Sequence, residues 1–514
     1  MKPVLSQQDL MNEHGTTLLA ILLALSFGCG DDSASFDGGA DMNDAAVRDS
    51  APDSALPVDA AQLDAAMRDA AVSDAGADAA PTDASVPSSS SCAERSAEIA
   101  AATGNTIEVE PAGPGMVSVD GSTRTLRSVV QGASTGDTIL LGDGVYTFPA
   151  GGDGAFTGLY FTTPGITMRS ASGDAESVII DSAYNDHGNS SAAITVAAAD
   201  TVLADFTVQR SVYHLIHFWA EGDNATVHNV TLVDGGQQFV KASPGGDERV
   251  DEVEISCSRF LMTDAGRDNV WGYGSADGNT TCYTGGIDSH DSRDWHIHDN
   301  YFDGIYCTAD GVARPAHGVN PGNRGGQTYR GGLSEHAIHM WDSEAGSGHL
   351  IERNHIVNCA RGIGLGFRVD TYGTTIRNNM IFSEFPGSRE HDVGISIERA
   401  HDTSIVHNTV FYSSDSAYSS TIEYRYASTT DVAIQNNLTN QRIRSRNDAV
   451  AETSGNITDA RAEWFADAAA GDLHLASCGI TEVVDAGDAD VASDDFDGAM
   501  RSGTPDIGAD ECTE

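Results

Sequence analysis

A short phrase keeps returning along the chain: an aliphatic residue, two polar ones, an asparagine, then alternating apolar residues. It reads IERNHIV from Ile351, IRNNMIF from Ile376, IVHNTVF from Ile405 and IQNNLTN from Ile434, which sets Asn354, Asn379, Asn408 and Asn437 apart by 25, 29 and 29 residues. That period is too short for domains, and it implies one supersecondary unit stacked on copies of itself. With substitutions the phrase extends backwards through Asn300, Ser258, Asn229 and Asp205. Stacked side chains about 4.8 Å apart let asparagine amides hydrogen-bond along a column, so these residues are given a structural role and no catalytic one.

Glycine is abundant, at 55 residues, and helix-period stretches are scarce, so the chain is expected to be all-β, built from many short strands and turns. Thr125–Gln131 puts Leu126, Val129 and Val130 on one side, and GASTGDTILLGDGVYTF follows from Gly132. This run resembles the entry to right-handed parallel β-helix proteins of the pectate-lyase-like superfamily. The resemblance, covering roughly Ile107 to Leu475, implies a right-handed parallel β-helix solenoid. It further implies a short N-terminal capping helix and first strands at Asp137–Phe148. Intervals of 42 residues from Ser258 to Asn300 and 54 from Asn300 to Asn354 exceed a coil, so Gly266–Gly285 and Thr308–Gly332 are expected to leave the stack as loops. SGTPDIGADE from Ser502 resembles a tail that closes bacterial β-helix proteins.

Four segments follow: 1–28 a signal peptide, 29–91 a disordered tether, 92–475 the β-helix and 476–514 the closing tail. Leu18–Phe27 is an apolar run too short to span a bilayer and suited to export. Leu25–Cys29 resembles a bacterial lipoprotein cleavage box, which makes Cys29 the expected lipidated residue and the outer membrane or cell surface, or secretion, the expected location. From Asp31 to Ser91 the chain holds 13 Asp against Arg48 and Arg68, and lacks the apolar mass for a core. A net charge of −48 repels polyanions, so nucleic acid is not an expected partner, and a membrane is met only through the lipid. The charge suits salty surroundings or bound calcium; no cofactor is specified, and the chain is read as a monomer. After Cys29, seven cysteines remain; the expected pairs are Cys257 with Cys282, Cys307 with Cys359, and Cys478 with Cys512, leaving Cys92 alone.

A second column precedes the asparagines, in LIHFW at Leu215, FVKA at Phe239, GIDSH at Gly286, AIHMW at Ala337, GIGLG at Gly362, GISIE at Gly394 and TIEYR at Thr421. Strand alternation places His217, Lys241, Asp288, His339, Ser396 and Glu423 in one outward row, and Trp219, His290, Trp341, Glu398 and Arg425 in the next. Such a groove of imidazole, carboxylate, guanidinium and indole suits gripping sugar rings. Lys241 is the only lysine besides Lys2, and its ammonium could neutralise a uronic carboxylate or, with a pKa lowered by burial, act as a base. Glu335, His336, His339 and Trp341 cluster after the loop that brings Arg314, Arg324 and Arg330, although the odd spacing of His336 and His339 predicts that they face apart. β-Elimination would use Arg361 or Lys241 as the cation and His339 or His290 as the base. Hydrolysis would draw its two carboxylates from Asp288, Glu335 and Glu398. The expected function is action on an extracellular, uronate-containing polysaccharide as lyase or hydrolase. The alternative is non-catalytic glycan binding or adhesion.

Overall fold

The computed structural model describes residues 90–513 except 102–103, 149–157, 186–191, 246–247, 271, 275–279, 308–332, 342, 347, 368, 388–390 and 489–490. The leader, Cys29, most of the tether and the loop arginines Arg314, Arg324 and Arg330 lie outside the described residues. The chain winds through three sheets in turn: a long one of 15 strands and two of ten. From Thr138–Leu141 to Glu452–Ser454, each strand of the long sheet pairs in parallel with the strand one coil later.

Register makes the stack visible in single columns. Ile139, Met168, Leu203, Val227, Ile255, Ile297, Ile351, Ile376, Ile405 and Ile434 are successive partners in the long sheet and lie inside the solenoid. Branched aliphatic residues at every rung but that of Met168 fill the interior without a polar atom to satisfy, which is why the apolar phrase repeats. Phe260 and Phe302 stack with ring centroids 4.3 Å apart in the same core.

From Val202–Ala204 onward each long-sheet strand ends at a bend held by one left-handed residue, such as Arg353, Asn378, His407 and Asn436 at φ 50°, 54°, 52° and 55°. The next residue is the ladder asparagine. Asn354 Nδ2 donates to Asn379 Oδ1 at 3.0 Å, Asn379 to Asn408 at 2.9 Å and Asn408 to Asn437 at 3.0 Å. The ladder starts at Ser258 and Asn300 and runs on to Asn456, 19 residues beyond Asn437. Asn229 and Asp205 do not belong to it. They occupy the preceding bend, at φ 51° and 60°, and register puts Val230 and Phe206 at the ladder position. Asn and Asp tolerate left-handed backbone better than other side chains, so the sequence phrase falls one residue out of phase there.

The helix Leu126–Gly132 buries Leu126, Val129 and Val130 in the core at one end of the stack, and the Thr125 side chain accepts from Ser128 N at its start. The first parallel strand is Thr106–Pro111, one coil earlier than the expected Asp137–Phe148, and the antiparallel strands Val117–Val119 and Ser122–Arg124 finish the edge of the long sheet. An unexpected helix, Ser90–Ala100, docks through Arg95 on Glu254, with Nε to Oε1 at 3.1 Å, and through Ser96 on His228.

Two expected disulfides are wrong. Cys92 on that helix pairs with Cys257, Cys282 pairs with Cys307, and only Cys478–Cys512 forms as expected. Asp303 is level with Val357, which puts Cys359 level with Ile305 and two residues short of Cys307. The hairpin of Gly272–Gly274 and Thr280–Cys282 instead carries Cys282 to Cys307. Cys359 stays a buried free thiol whose pKa burial raises. Beyond the last coil the chain returns along the outside of the second sheet, where Trp464, Phe465, Leu473, Phe496 and Ile507 form a second core with Val357, Phe382 and Phe411.

Candidate functional site

The third sheet, from Leu159–Phe161 to Arg442–Arg446, carries the polar row. Register runs Thr195, His217, Lys241, Asp288, His339, Gly364, Ser396, Glu423 and Arg444, one residue per coil. The inner neighbours Ile216, Val240, Ile287, Ile338, Ile363, Ile395 and Ile422 are fully buried, which fixes the row on the opposite face.

At the corner entering this sheet two successive residues turn inward, as with Leu215–Ile216, Phe239–Val240 and Ala337–Ile338. The residues on either side of such a pair therefore share the outer face. This brings His214 to His217, with ring centroids 5.1 Å apart, and His336 to His339, at 4.5 Å. The expectation that His336 and His339 face apart is thus overturned, because strict alternation does not hold at the corner. His214 was missed for the same reason.

Asp288 is the hub. Its Oδ2 accepts from Lys241 Nζ and lies 3.4 Å from His290 Nε2, while Oδ1 accepts from Trp341 Nε1 at 2.5 Å and lies 3.5 Å from His339 Nδ1. Lys241 Nζ also donates to His290 Nε2 at 2.9 Å. Burial pushes the Asp288 pKa up, but Lys241, His290 and His339 together hold it well below the usual carboxylate range. His339 Nε2 donates to the Gly366 carbonyl at 2.8 Å, and His336 Nε2 meets Ser396 Oγ at 3.1 Å. Burial, then His339 and Arg361, keep His336 well below the ordinary imidazole pKa; burial does the same for His217, assisted by His214 and Lys241.

Trp341 packs against His290, His339 and Phe367 at centroid distances of 4.6, 4.9 and 5.2 Å, and Trp219 lies 4.5 Å from His217. Both indoles are half-buried, so each has surface left for a sugar face. Arg361 is turned to the Ser334 carbonyl at 3.0 Å and to Asp392 at 3.5 Å, and is tied down at the edge of the cluster. Glu398, Glu423 and Arg425 form a separate group. Arg425 pairs with Glu398, and Glu423 accepts from Arg446 at 2.8 Å and Tyr418 at 3.1 Å. Burial raises the Glu398 pKa against the pull of Arg425. Ser396 is three rungs from Asp288, about 14 Å along the stack, so the two groups are not one constellation.

Two residues of the site carry no side chain at all. A Cβ on Gly364 would lie 2.6 Å from His336 Nε2, and one on Gly285 would lie 2.9 Å from Glu335 Cβ. Glycine on these rungs clears the space that His336 and Glu335 occupy, a signal that shows only once the rungs are aligned.

No protein-family model matches the chain, and no curated protein matches it. Among solved structures, a pectate lyase, Pel9A, is similar at 13% identity, over 81% of this chain and 98% of that one, with a TM-score of 0.49. A PL6 alginate lyase in complex with a trisaccharide is similar at 10% identity, over 70% of this chain and 80% of that one, with a TM-score of 0.35. PfbA, a surface adhesin of Streptococcus pneumoniae, is similar at 11% identity, over 64% of this chain and 85% of that one, with a TM-score of 0.30. At such identities the likeness is one of fold, and the fold is a right-handed parallel β-helix.

Proposed function

We propose that the groove on the third sheet binds an extracellular acidic polysaccharide and cleaves it by β-elimination. One observation carries this reading: a lysine, a carboxylate and two imidazoles converge on consecutive rungs beside a half-buried tryptophan. In elimination from a uronate, the C5–H and C4–O bonds break, a C4=C5 double bond forms, and the C5 proton ends on the departing oxygen. The Lys241 ammonium would neutralise the substrate carboxylate as charge develops on it. As Lys241 turns from His290 Nε2 to the substrate carboxylate, that nitrogen, on a side chain 28% exposed, would take the C5 proton, and Asp288 at 3.4 Å would stabilise the resulting imidazolium until it returns the proton to the leaving oxygen. Trp341 would stack on a sugar ring.

Hydrolysis by Asp288 with Glu398 fits less well. Asp288 is ionised and has donors on both oxygens, so it has no proton to give. Its separation of about 14 Å or more from Glu398 along the stack exceeds the roughly 5–9.5 Å that paired glycosidase carboxylates need. A binding-only surface is the second reading, favoured by the pairing of Lys241 with Asp288 and of Arg361 with Asp392, which leaves neither cation unengaged. Three disulfides support an oxidising, exported setting for either.

The test is to incubate the purified protein with a panel of polyuronates, following unsaturated ends by ultraviolet absorbance and reducing ends in parallel. Elimination gives both signals, and His290→Ala lowers them by about 10²–10⁴-fold. Reducing ends without unsaturated product would mean hydrolysis. Binding without either product would leave a glycan-binding module.

A further inference from the structure

The second half of the groove contains an arrangement that cleavage by Lys241 and His290 does not use. Glu335, His336 and His339 each offer a donor atom, and the three atoms lie within 4.8 Å of one another. Both imidazoles are anchored by the same ring nitrogen: His339 Nε2 on the Gly366 carbonyl at 2.8 Å, and His336 Nε2 on Ser396 Oγ at 3.1 Å. In each ring the other nitrogen, Nδ1, is buried and makes no hydrogen bond, that of His339 lying 3.5 Å from Asp288 Oδ1. The carbonyl of Gly366 can only accept, so the neutral His339 ring carries its proton on Nε2 and has its lone pair on Nδ1.

A buried imidazole nitrogen without a hydrogen bond has lost its water uncompensated, and two of them in one cluster need an explanation. A metal ion supplies one. Anchoring the remote nitrogen on a carbonyl or hydroxyl is how metal-ligating histidines are held in the right tautomer and orientation. The third donor, Glu335, has no hydrogen bond or ion pair to its carboxylate among the described residues. Gly285 and Gly364 open the space around these side chains, since a Cβ on either would collide with Glu335 or His336.

We propose that Glu335, His336 and His339 form a binding site for a divalent transition-metal ion of the zinc class on the floor of the groove. Two imidazoles and one carboxylate are a donor set that suits zinc, cobalt or nickel; calcium takes six to eight oxygens, which this site does not offer. Three protein ligands leave a fourth position for an oxygen of water or of a bound sugar. The nearby cations do not oppose the ion with full charge, because Lys241 is paired with Asp288 and Arg361 with Asp392. This site stands whether or not the groove cleaves its polymer, and its test does not read activity.

The probe is metal alone. Chelator-treated full-length protein is titrated with zinc by calorimetry, and with cobalt(II), whose visible spectrum reports imidazole coordination in a four-coordinate site. The expected result is one ion per chain, with the cobalt bands lost in H336A and H339A. Ser396→Ala keeps every ligand and removes only the anchor on His336, so zinc affinity should fall by about 10–100-fold while circular dichroism stays native. His474→Ala, in a separate His/Asp/Asp group, should change nothing in these bands. No stoichiometric zinc on the native protein, cobalt held in octahedral oxygen coordination, or zinc affinity untouched in a folded S396A variant would each overturn the proposal.

Discussion

Replacing Asn379 by alanine should cost about 3–5 kcal/mol, and the reason lies in what the change leaves behind. Its amide donates to Asn408 Oδ1 at 2.9 Å and to the carbonyls of Ile351 and Arg377 at 3.0 Å, while its Oδ1 accepts from the backbone and side-chain nitrogens of Asn354, both at 3.0 Å. Alanine strands the Asn354 backbone N–H in a site with no access to water, a penalty of roughly 1–3 kcal/mol. It also removes the net gain of two or three further bonds at about 0.5–1.5 kcal/mol each. Against a total stability of about 5–15 kcal/mol such a loss is large, and in a stacked fold it opens first at the damaged coil, the one that carries Gly364. Asn456 provides the control. It ends the ladder half-buried, accepting from Asn437 and donating to the Ile434 carbonyl, so water can replace what Asn456→Ala removes and the cost should stay near ~1 kcal/mol. Urea unfolding followed by tryptophan fluorescence and by circular dichroism measures both variants. Equal losses in the two, or less than about 1 kcal/mol for Asn379→Ala, would show that the column follows from stacking rather than holding the coils together.

Further outcomes are expected at the groove and in the core. Lys241→Met should destabilise by about 3–5 kcal/mol because Asp288 is left buried without its ammonium; K241M/D288L should lose less than K241M alone, and chemical denaturation of both would expose the opposite order. Gly364→Ala should push the His336 ring off Ser396 and cost roughly 1–3 kcal/mol, readable as a lost imidazole–hydroxyl interaction in proton NMR; an unshifted His336 signal would refute the close fit. Burial pushes His214, His228, His349, His355 and His391 down to about 4 and His407 to about 3, from 6.5 when exposed. Between these values the unfolded chain binds protons that the fold refuses, so the stabilisation is complete above pH about 6.5 and is lost as pH falls toward 4. The urea midpoint should drop between pH 7 and pH 5, and a level or rising midpoint would contradict it.

The architecture was legible because its two signals, a branched aliphatic residue and an asparagine at fixed offset, are demanded at every rung by packing and by buried hydrogen bonding. Where the demand relaxes, reading fails. Val230 and Phe206 fill the ladder position with apolar side chains, and the asparagine and aspartate beside them mimic ladder members because they satisfy a different need, the left-handed bend. The disulfides were misread for a related reason. Offset from the asparagine measures position only while the chain stays in the coil, and Cys282 sits on a hairpin outside it. Helix Ser90–Ala100 has no repeat to betray it, and its docking depends on Cys257, Glu254 and His228, far away in number.

The site was legible in part, since period-two alternation is enough to align His217, Lys241, Asp288 and His339 on one face. It could not reveal the corner that reunites His336 with His339, nor the pairing that withdraws Arg361, Glu398 and Glu423 from the cluster. One comparison within the row bears on what the cluster is for. At the same rung position other coils carry Thr195, Gly364 and Ser396, and the inner isoleucine column continues unbroken beneath them. The solenoid therefore does not require charge there. A covered lysine–aspartate pair is commonly no more stabilising than apolar or small replacements, because desolvation offsets its attraction. Fold stability thus gives no reason for Lys241, Asp288 and His339 to stand on three consecutive rungs, and contact with the proposed ligand would. The coils that supply Asp288 and His339 are those lengthened to 42 and 54 residues between ladder positions, so two of the three polar rungs lie where the chain departs from regular coil length.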